Sequence, residues 1–401
     1  MKINIIRKID YWAGIPICFI FTIIHKICKL FNIHKKPLKK PMNILFVELS
    51  EMGSAILAYS SLQKARELFP GVQLFFLIFD ENKESVYLTD IIPDENVFTI
   101  NCSSFIKFLS DTLSVLWKIR KAKIDTYIDM ELFSRATSII SYLSGANSRV
   151  GFYRYHIEGL YRGNFLTHKV SYNPHQHISL NFINLVYAIQ SNLEDSPLLK
   201  KSLEVIPTVP RITSSKEAEK SIFSKLKIIN SNIEKSSKII IFNPNAGMLP
   251  IRAWPLEKYI QLAKKIIKLK DVFIVVMGIN DASKDAELIC NVSKEYCIDF
   301  TNRTTLKEVI DLFNISDVLV TNDSGPAHFA SLTPIKNFVL FGPETPDLYS
   351  PLGENCIPLY AHFSCSPCVS AFNHRKTSCN DAKCMQAISV EQVYYKIIEV
   401  L

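Results

Sequence analysis

From residue 43 onward, short unbroken runs of apolar residues alternate with longer stretches in which apolar positions recur every three or four residues. The first pattern reads as buried strand and the second as amphipathic helix. Residues 43–49 predict a strand, and a helical stretch then begins at Gly53 and stops at Pro70-Gly71. Residues 72–79, 97–100 and 124–129 predict further strands, with helical stretches at 105–120 and 133–143. Residues 150–210 are less regular and hold clusters of Arg, Tyr and His. Residues 213–238 are rich in Ser and Lys and read as a charged connecting helix. Alternation then restarts, with strands at 238–242, 272–277, 318–321 and 337–341. Helices are predicted at 256–269, 282–292, 306–313, from about Pro326, and at 390–401.

Strands alternating with helices imply parallel βαβ units. The fold class is therefore α/β, with two Rossmann-like domains facing a cleft. The divisions are an arm at 1–40, an N-terminal domain at 41–212, a linker helix at 213–237 and a C-terminal domain at 238–401. In such sheets ligands sit beyond the carboxyl ends of the strands, so the loops following strands are where chemistry is expected.

The arm has a different pattern. Residues 11–24 carry no charge, yet the stretch is shorter than the roughly 20 apolar residues of a spanning helix, and Pro16 interrupts it. No small-x-small cleavage site follows, which disfavours a secretory signal. Basic residues flank both ends, and Tyr11 and Trp12 suit a water–lipid boundary. The arm reads as an amphipathic, membrane-associating anchor whose Lys35, Lys36, Lys39 and Lys40 meet an anionic membrane surface. The alternative is a helix packed on the protein's own body.

Charge supports that division. The net charge is +8. Residues 1–40 hold nine Lys and Arg against the single acid Asp10, so the remaining chain is neutral. A nucleic-acid groove through the body is thereby disfavoured. With 48% apolar and 21% charged residues the body is globular rather than disordered. Ten cysteines without a signal peptide, several of them inside predicted elements, point to a reducing cytoplasmic setting.

None of the 12 glycines forms a G-x-G pair, and G-x-x-x-x-G-K, H-E-x-x-H and G-x-S-x-G are absent. A nicotinamide dehydrogenase, P-loop ATPase, zincin or α/β-hydrolase is disfavoured accordingly. Three loops carry the candidate chemistry. Asn322-Asp323-Ser324-Gly325-Pro326-Ala327-His328 lies where a strand ends and a helix starts, and Ser324 or Asp323 is placed to cap that helix. A helix N-terminus there suits a phosphate. Phe341-Gly342-Pro343-Glu344 follows the next strand. Asn243-Pro244-Asn245-Ala246-Gly247, then Arg252-Ala253-Trp254-Pro255, combines a glycine loop with forked guanidinium donors. In the first half, Glu48-Leu49-Ser50-Glu51-Met52-Gly53-Ser54 puts carboxylates after the first strand, where one can take a proton. Plain capping, turn chemistry and helix-start acids remain the alternative for each loop taken alone.

In this combination and order the loops resemble glycosyltransferase family 9, the ADP-heptose:lipopolysaccharide heptosyltransferase family. The resemblance covers about residues 41–401 and is strongest from 239 to 353; the Asp10-Tyr11-Trp12-Ala13-Gly14-Ile15-Pro16 segment also looks like extensions of some members. It implies the GT-B architecture, with the acceptor in the N-terminal domain and the donor in the C-terminal one. It further implies inverting transfer without a catalytic metal or other cofactor. Heptose or a related sugar would pass from a nucleotide-sugar donor, ADP-heptose foremost, to a lipid-linked saccharide acceptor such as a lipopolysaccharide core. The enzyme would sit peripherally on the cytoplasmic face of the plasma membrane. Carried onto this chain, Asn245, Gly247, Arg252, Ser324, Gly325, Pro326, Ala327, His328, Gly342 and Glu344 would bind the donor, with Asp323 among the catalytic groups. Gly53 and Ser54 would face the acceptor; apart from the resemblance, Arg154, His175 and His177 are candidates for contact with it, the two histidines alternatively for plain capping. Family members carry Gly-Asp in the first loop, the Asp being the presumed base; this chain has Gly53-Ser54. Glu51 is the nearest substitute and Glu48 the second. The same departure motivates the alternative of a catalytically degenerate, membrane-associated saccharide- or nucleotide-sugar-binding protein of this fold.

Two further groups have competing readings. Cys365-x2-Cys368-x10-Cys379-x4-Cys384 has spacing compatible with a structural zinc, or with free or paired thiols. Arg149, Arg154 and Arg162 are candidates for anionic groups of the acceptor, or a solvated face.

Overall fold

The computed structural model describes residues 3–33, 35–155, 160–247, 249–279, 282–370, 373 and 375–401. The chain divides into two compact units, Met1–Pro207 and Thr208–Leu401.

The first unit begins with helices α1 (Ile3–Trp12) and α2 (Gly14–Leu30). Pro16 falls in the first turn of α2, where a missing N–H breaks no helical bond. Strand β1 (Asn43–Val47) follows, then α3 (Met52–Leu57) and α4 (Tyr59–Leu68), so the stretch expected as one helix is broken at Ala58. Next come β2 (Gln73–Phe79), the short α5 (Glu84–Tyr87), β3 (Val97–Ile100), α6 (Phe105–Lys121), β4 (Thr126–Asp129) and α7 (Arg135–Leu143). The segment without a regular sequence pattern contains β5 (Ser148–Phe152), β6 (His168–Val170) and α8 (Ile178–Ala188). Helix α8 is apolar nearly all round because it is buried, and that removes the periodic signal of a surface helix.

All six strands pair in parallel, in the order β3-β2-β1-β4-β5-β6. The chain winds outward through β2 and β3, returns to the far side of β1, and winds outward again through β5 and β6. The order reverses between β1 and β4, and a crevice opens beyond the strand ends at such a reversal. Leu45, Val47, Phe75, Leu77 and Tyr127 form the core beneath α6 and α7.

The second unit repeats the plan. It contains α9 (Lys216–Ile229), β7 (Lys238–Asn243), α10 (Leu256–Ile266), β8 (Val272–Val276), α11 (Ser283–Cys290) and β9 (Cys297–Asp299). It continues with α12 (Leu306–Asn314), β10 (Val318–Asn322), α13 (Gly325–Ala330), β11 (Lys336–Phe341), α14 (Pro346–Tyr349), β12 (Cys356–Tyr360), α15 (Lys383–Ala387) and α16 (Val390–Ile398). The parallel order is β12-β11-β10-β7-β8-β9, reversing between β7 and β10. Strands β8 and β10 are buried on both faces, and this is why they read as continuous apolar runs. Helix α9 packs on α12, burying Ile222 and Leu226, with Lys225 Nζ 2.6 Å from Glu308.

The arm is longer and better docked than its uncharged stretch suggests. Helical residues Arg7–Leu30 form a run of 24, long and apolar enough by length and composition to cross a membrane. One face of it is tied to α7 and to the loop before β6. Asp10 accepts hydrogen bonds from the Arg135 and Ala136 amides at 2.8 and 3.0 Å and pairs with the Arg135 guanidinium at 3.0 Å, so it caps α7 from outside. Gly14 sits against Arg135, where a Cβ would lie 2.8 Å from the arginine's own Cβ. Thr22 Oγ1 accepts from the Asn164 amide at 2.9 Å, and Phe21 packs on the Tyr142 and Phe165 rings. Phe19, Ile20, Ile23, Ile27 and Leu30 project from the opposite face and are exposed.

Candidate functional site

In the second unit the candidate residues gather at the reversal between β7 and β10. Two asparagines, one at the end of each strand, sew the loops together. Asn243 Nδ2 donates to Thr321 Oγ1 at 2.9 Å, and Asn322 Nδ2 donates to the Pro244 carbonyl at 2.8 Å. Asn322 Oδ1 accepts from the Trp254 amide at 2.9 Å, which fixes the Arg252–Trp254 step. The Trp254 ring is buried, with Nε1 donating to the Ile388 carbonyl at 3.0 Å. Arg252 is thereby delivered beside Asp323: Nη1 donates to Asp323 Oδ2 at 2.9 Å. Its Nε is buried and has no hydrogen-bond partner among the described residues. Leaving such a donor unsatisfied costs about 1–3 kcal/mol.

The adjoining turn differs in detail from simple capping. Ser324 occupies the N-cap position of α13 in extended conformation, but its side chain makes no cap bond; Oγ donates instead to the Asn322 carbonyl at 3.1 Å. Pro326 has no N–H, and the Ala327 amide donates to the Ser324 carbonyl at 3.1 Å. The Ser324–His328 run thus offers fewer amides than its length suggests. A Cβ on Gly325 would meet only ordinary contact with the Phe329 ring at 3.6 Å, so packing inside the protein does not require glycine there. His328 is buried. On the facing loop, Gly247 has φ +60°, a left-handed conformation that favours glycine, and its amide donates to Asn245 Oδ1. Gly342 is accounted for by packing, since a Cβ would lie 2.4 Å from Met385 Sδ. Glu344 is buried, with Arg375 Nε at 3.9 Å.

The zinc expectation is corrected. Among the described residues no three His, Cys, Asp or Glu side chains group as metal ligands. Cys365 is exposed, Cys379 Sγ donates to Asp381 at 3.5 Å, and Cys384 is buried against the position of Gly342. The last thiol is pushed up from its ordinary pKa, first by burial.

In the first unit the carboxylates lie at the matching reversal between β1 and β4. Glu48 is buried, and Glu51 precedes α3 and accepts from Ser54 Oγ at 3.1 Å. Gly53 and Ser54 belong to α3 itself. Glu131, just past β4, is not among the candidates that the sequence suggests. Its Oε1 accepts from the Leu49 amide at 3.0 Å and from Ser50 Oγ at 3.5 Å, which brings it onto the Glu51 loop. Burial, and after it the charges of Asp129 and Glu51, push its carboxyl up to about 7 against the Leu49 hydrogen bond. A signal for it does exist in the sequence: an acid beyond a strand end, in a fold where that strand neighbours the first.

Two of the three candidate arginines are structural. Arg162 pairs with Asp129 and donates to the Glu131 and Ser134 carbonyls. Arg149 donates to the Phe165 and Ala146 carbonyls at 3.0 and 2.9 Å. Arg154 stays exposed, 5.7 Å from the Tyr161 ring. His177 caps α8, with Nδ1 2.7 Å from Ser179 Oγ, and His175 is exposed.

The family described as glycosyltransferase family 9 (heptosyltransferase) matches residues 113–378. The chain is 28% identical over 178 residues to lipooligosaccharide heptosyltransferase 2 of Campylobacter jejuni, a match covering 42% of this chain and 53% of that protein. It therefore spans about half the length of the curated relatives it matches. Among solved structures, the E. coli ADP-heptose lps heptosyltransferase II aligns over 90% of this chain and 98% of its own, with TM-score 0.68 and 16% identity. A glycosyl transferase family 9 structure from Veillonella parvula aligns over 90% and 97%, with TM-score 0.69 and 19% identity. At these identities the structures establish a shared fold: two parallel α/β sheets of the GT-B kind.

Proposed function

The chain belongs to glycosyltransferase family 9, the heptosyltransferase family, and from that membership we propose that it transfers heptose or a related sugar from a nucleotide-sugar donor to a lipid-linked saccharide of the lipopolysaccharide-core type. ADP-heptose is the foremost donor, in keeping with the E. coli neighbour, an ADP-heptose lps heptosyltransferase. The second unit holds the donor and the first takes the acceptor. The reaction is a direct displacement with inversion. The acceptor hydroxyl oxygen bonds to the anomeric carbon, the bond from that carbon to the diphosphate oxygen breaks, and the diphosphate leaves with the electron pair. The hydroxyl proton passes to a carboxylate at the β1–β4 reversal, Glu51 with Glu131 beside it, in the role left open by Ser54. Charge growing on the leaving diphosphate is met by Arg252 and the amides of the Ser324 turn rather than by a metal ion; one preorganised donor of this kind is worth about 3 kcal/mol of barrier. In this reading Asp323 holds Arg252 in place.

The observation that carries the proposal is the Arg252 guanidinium, fixed by Asp323 on one edge and without an acceptor at Nε among the described residues. Binding of ADP or ADP-heptose to the folded state should raise the melting temperature of the full chain. Transfer should proceed in the presence of chelator and be nearly abolished by Arg252→Ala. Stabilisation by neither nucleotide, in a chain that melts cooperatively, would defeat the donor assignment.

Ser54 in place of the family acid favours a second reading, a non-catalytic binder of nucleotide sugar. Donor binding with no transfer and no slow donor hydrolysis would select it. In either case the exposed apolar face and basic end of the arm support peripheral residence on the anionic cytoplasmic face of the plasma membrane.

A further inference from the structure

We propose that helix α6 is a second bilayer-contacting element of the first unit, laid on the same anionic membrane as the arm; this rests on the reading of the arm as membrane-bound. Helix α6 buries Val115, Leu116 and Ile119 against the sheet. A surface helix normally turns polar residues outward from such a face. Here Phe105, Ile106, Leu109, Leu113 and Trp117 form an adjoining stripe and are 49–80% exposed. A stripe of five large apolar side chains along one helix is more than the scattered apolar exposure of an ordinary surface.

Its position points to the occupant. Helix α7 packs against both α2 and α6. The crossovers carrying α6 and α7 run in the same direction along the sheet, so right-handedness puts both helices on one face. Arg120, which leaves α6 on the side of the apolar stripe, donates from Nη2 to the Leu143 carbonyl at the end of α7, at 3.1 Å. The exposed stripe of α6 and the exposed face of α2 therefore belong to one helical layer.

The basic ends of the two elements also converge. Lys118, Arg120 and Lys121 lie in the last turn of α6. The loop just after α7 receives Lys35 Nζ on the Gly145 carbonyl at 2.7 Å, and Asn147 Nδ2 donates to the Lys36 carbonyl at 3.2 Å. The acids nearby are engaged: Asp111 with Lys107, and Asp125 with the Met42 and Asn43 amides. Lys121 Nζ lies 5.0 Å from the centre of the Trp117 ring, so an apolar body and a cationic tip share one boundary position. An apolar stripe ending in tryptophan and a cluster of cations is complementary to acyl chains beneath anionic headgroups.

The test uses the full chain and vesicles of phosphatidylethanolamine with phosphatidylglycerol, some carrying brominated acyl chains. Trp254 is buried and supplies a constant background. In the Trp12→Phe chain, brominated lipid should quench Trp117. Leu109→Ser with Leu113→Ser should lower the vesicle-bound fraction about fivefold or more without lowering the melting temperature, because both side chains are already exposed. Quenching of Trp12 in the Trp117→Phe chain, with Trp117 unquenched in its counterpart, would overturn the α6 assignment and leave the arm's standing. Quenching of neither would overturn both. If the serine pair left vesicle binding intact but split a lipid-free dimer, the stripe would be an interface between copies of this chain, and the proposal would fall.

Discussion

Arg252 Nη1 lies 2.9 Å from Asp323 Oδ2, joining the loop after β7 to the loop after β10 where the strand order of the second sheet reverses. The pair comes from positions 71 residues apart. In the proposed mechanism this pairing lets Asp323 aim the guanidinium.

Arg252→Lys should lower kcat/KM for transfer about 100-fold, because one ammonium cannot both hold Asp323 and present a second donor where Nε now lies. Asp323→Asn, which keeps an acceptor oxygen but removes the charge, should lose less than Asp323→Ala. Steady-state kinetics with ADP-heptose, alongside melting curves showing intact folding, measure both. Equal activity of Arg252→Lys and the parent would remove the forked donor from the site.

Glu131 should set the acid limb of the pH profile. Beside the proton-accepting Glu51 its negative charge raises that group's basicity, so transfer should fall as pH drops through about 7, and Glu131→Gln should flatten that limb. Stability should move the opposite way. The folded-state value lies above the ordinary carboxyl value of 4.5, so the folded state binds this proton more tightly than the unfolded chain does. Its contribution is full below pH 4.5 and is lost as pH rises through about 7. Relative to the parent, Glu131→Gln should therefore gain up to about 3 kcal/mol between pH 5 and pH 8. Urea unfolding at the two pH values reads the difference.

Gly342→Ala should destabilise the second unit by about 1–3 kcal/mol, since a methyl would enter the space of Met385 Sδ. Donor affinity at a temperature where the variant is folded should change little. Unchanged melting with lost nucleotide binding would mean that Gly342 serves the ligand instead.

Asp10→Ala should cost about 3 kcal/mol, because it strands the buried Arg135 and uncaps α7. Asp10→Ala with Arg135→Ala should cost less than the two single changes added together. Denaturant unfolding of the four proteins gives the coupling, and limited proteolysis should cut the arm faster in Asp10→Ala.

Much of the fold can be read along the chain because strands buried on both faces leave short apolar runs that survive any detail of packing. The 97–100 strand and the helix starting at 105 fall where the pattern places them. The three-residue β9 is too short to show a pattern, and β12 is only partly buried and so lacks an unbroken apolar run. Helix α8 is hidden by its own burial. The cysteine spacing misleads because spacing constrains only distance along the chain; Cys384 lies against Gly342, and among the described residues no three His, Cys, Asp or Glu side chains group as metal ligands.

The order of apolar and polar residues alone determined the two α/β units, the loops that carry polar groups and the basic end of the arm, since each depends on neighbours within a few residues. Only tertiary structure decided which loops meet. Parallel strands adjoin in an order different from their order in the chain, so Arg252 finds Asp323, Glu131 reaches the Glu51 loop, and Asp10 caps a helix 125 residues away. Those encounters are enforced by the burial of sheet faces, a property of the assembled molecule that no local pattern records.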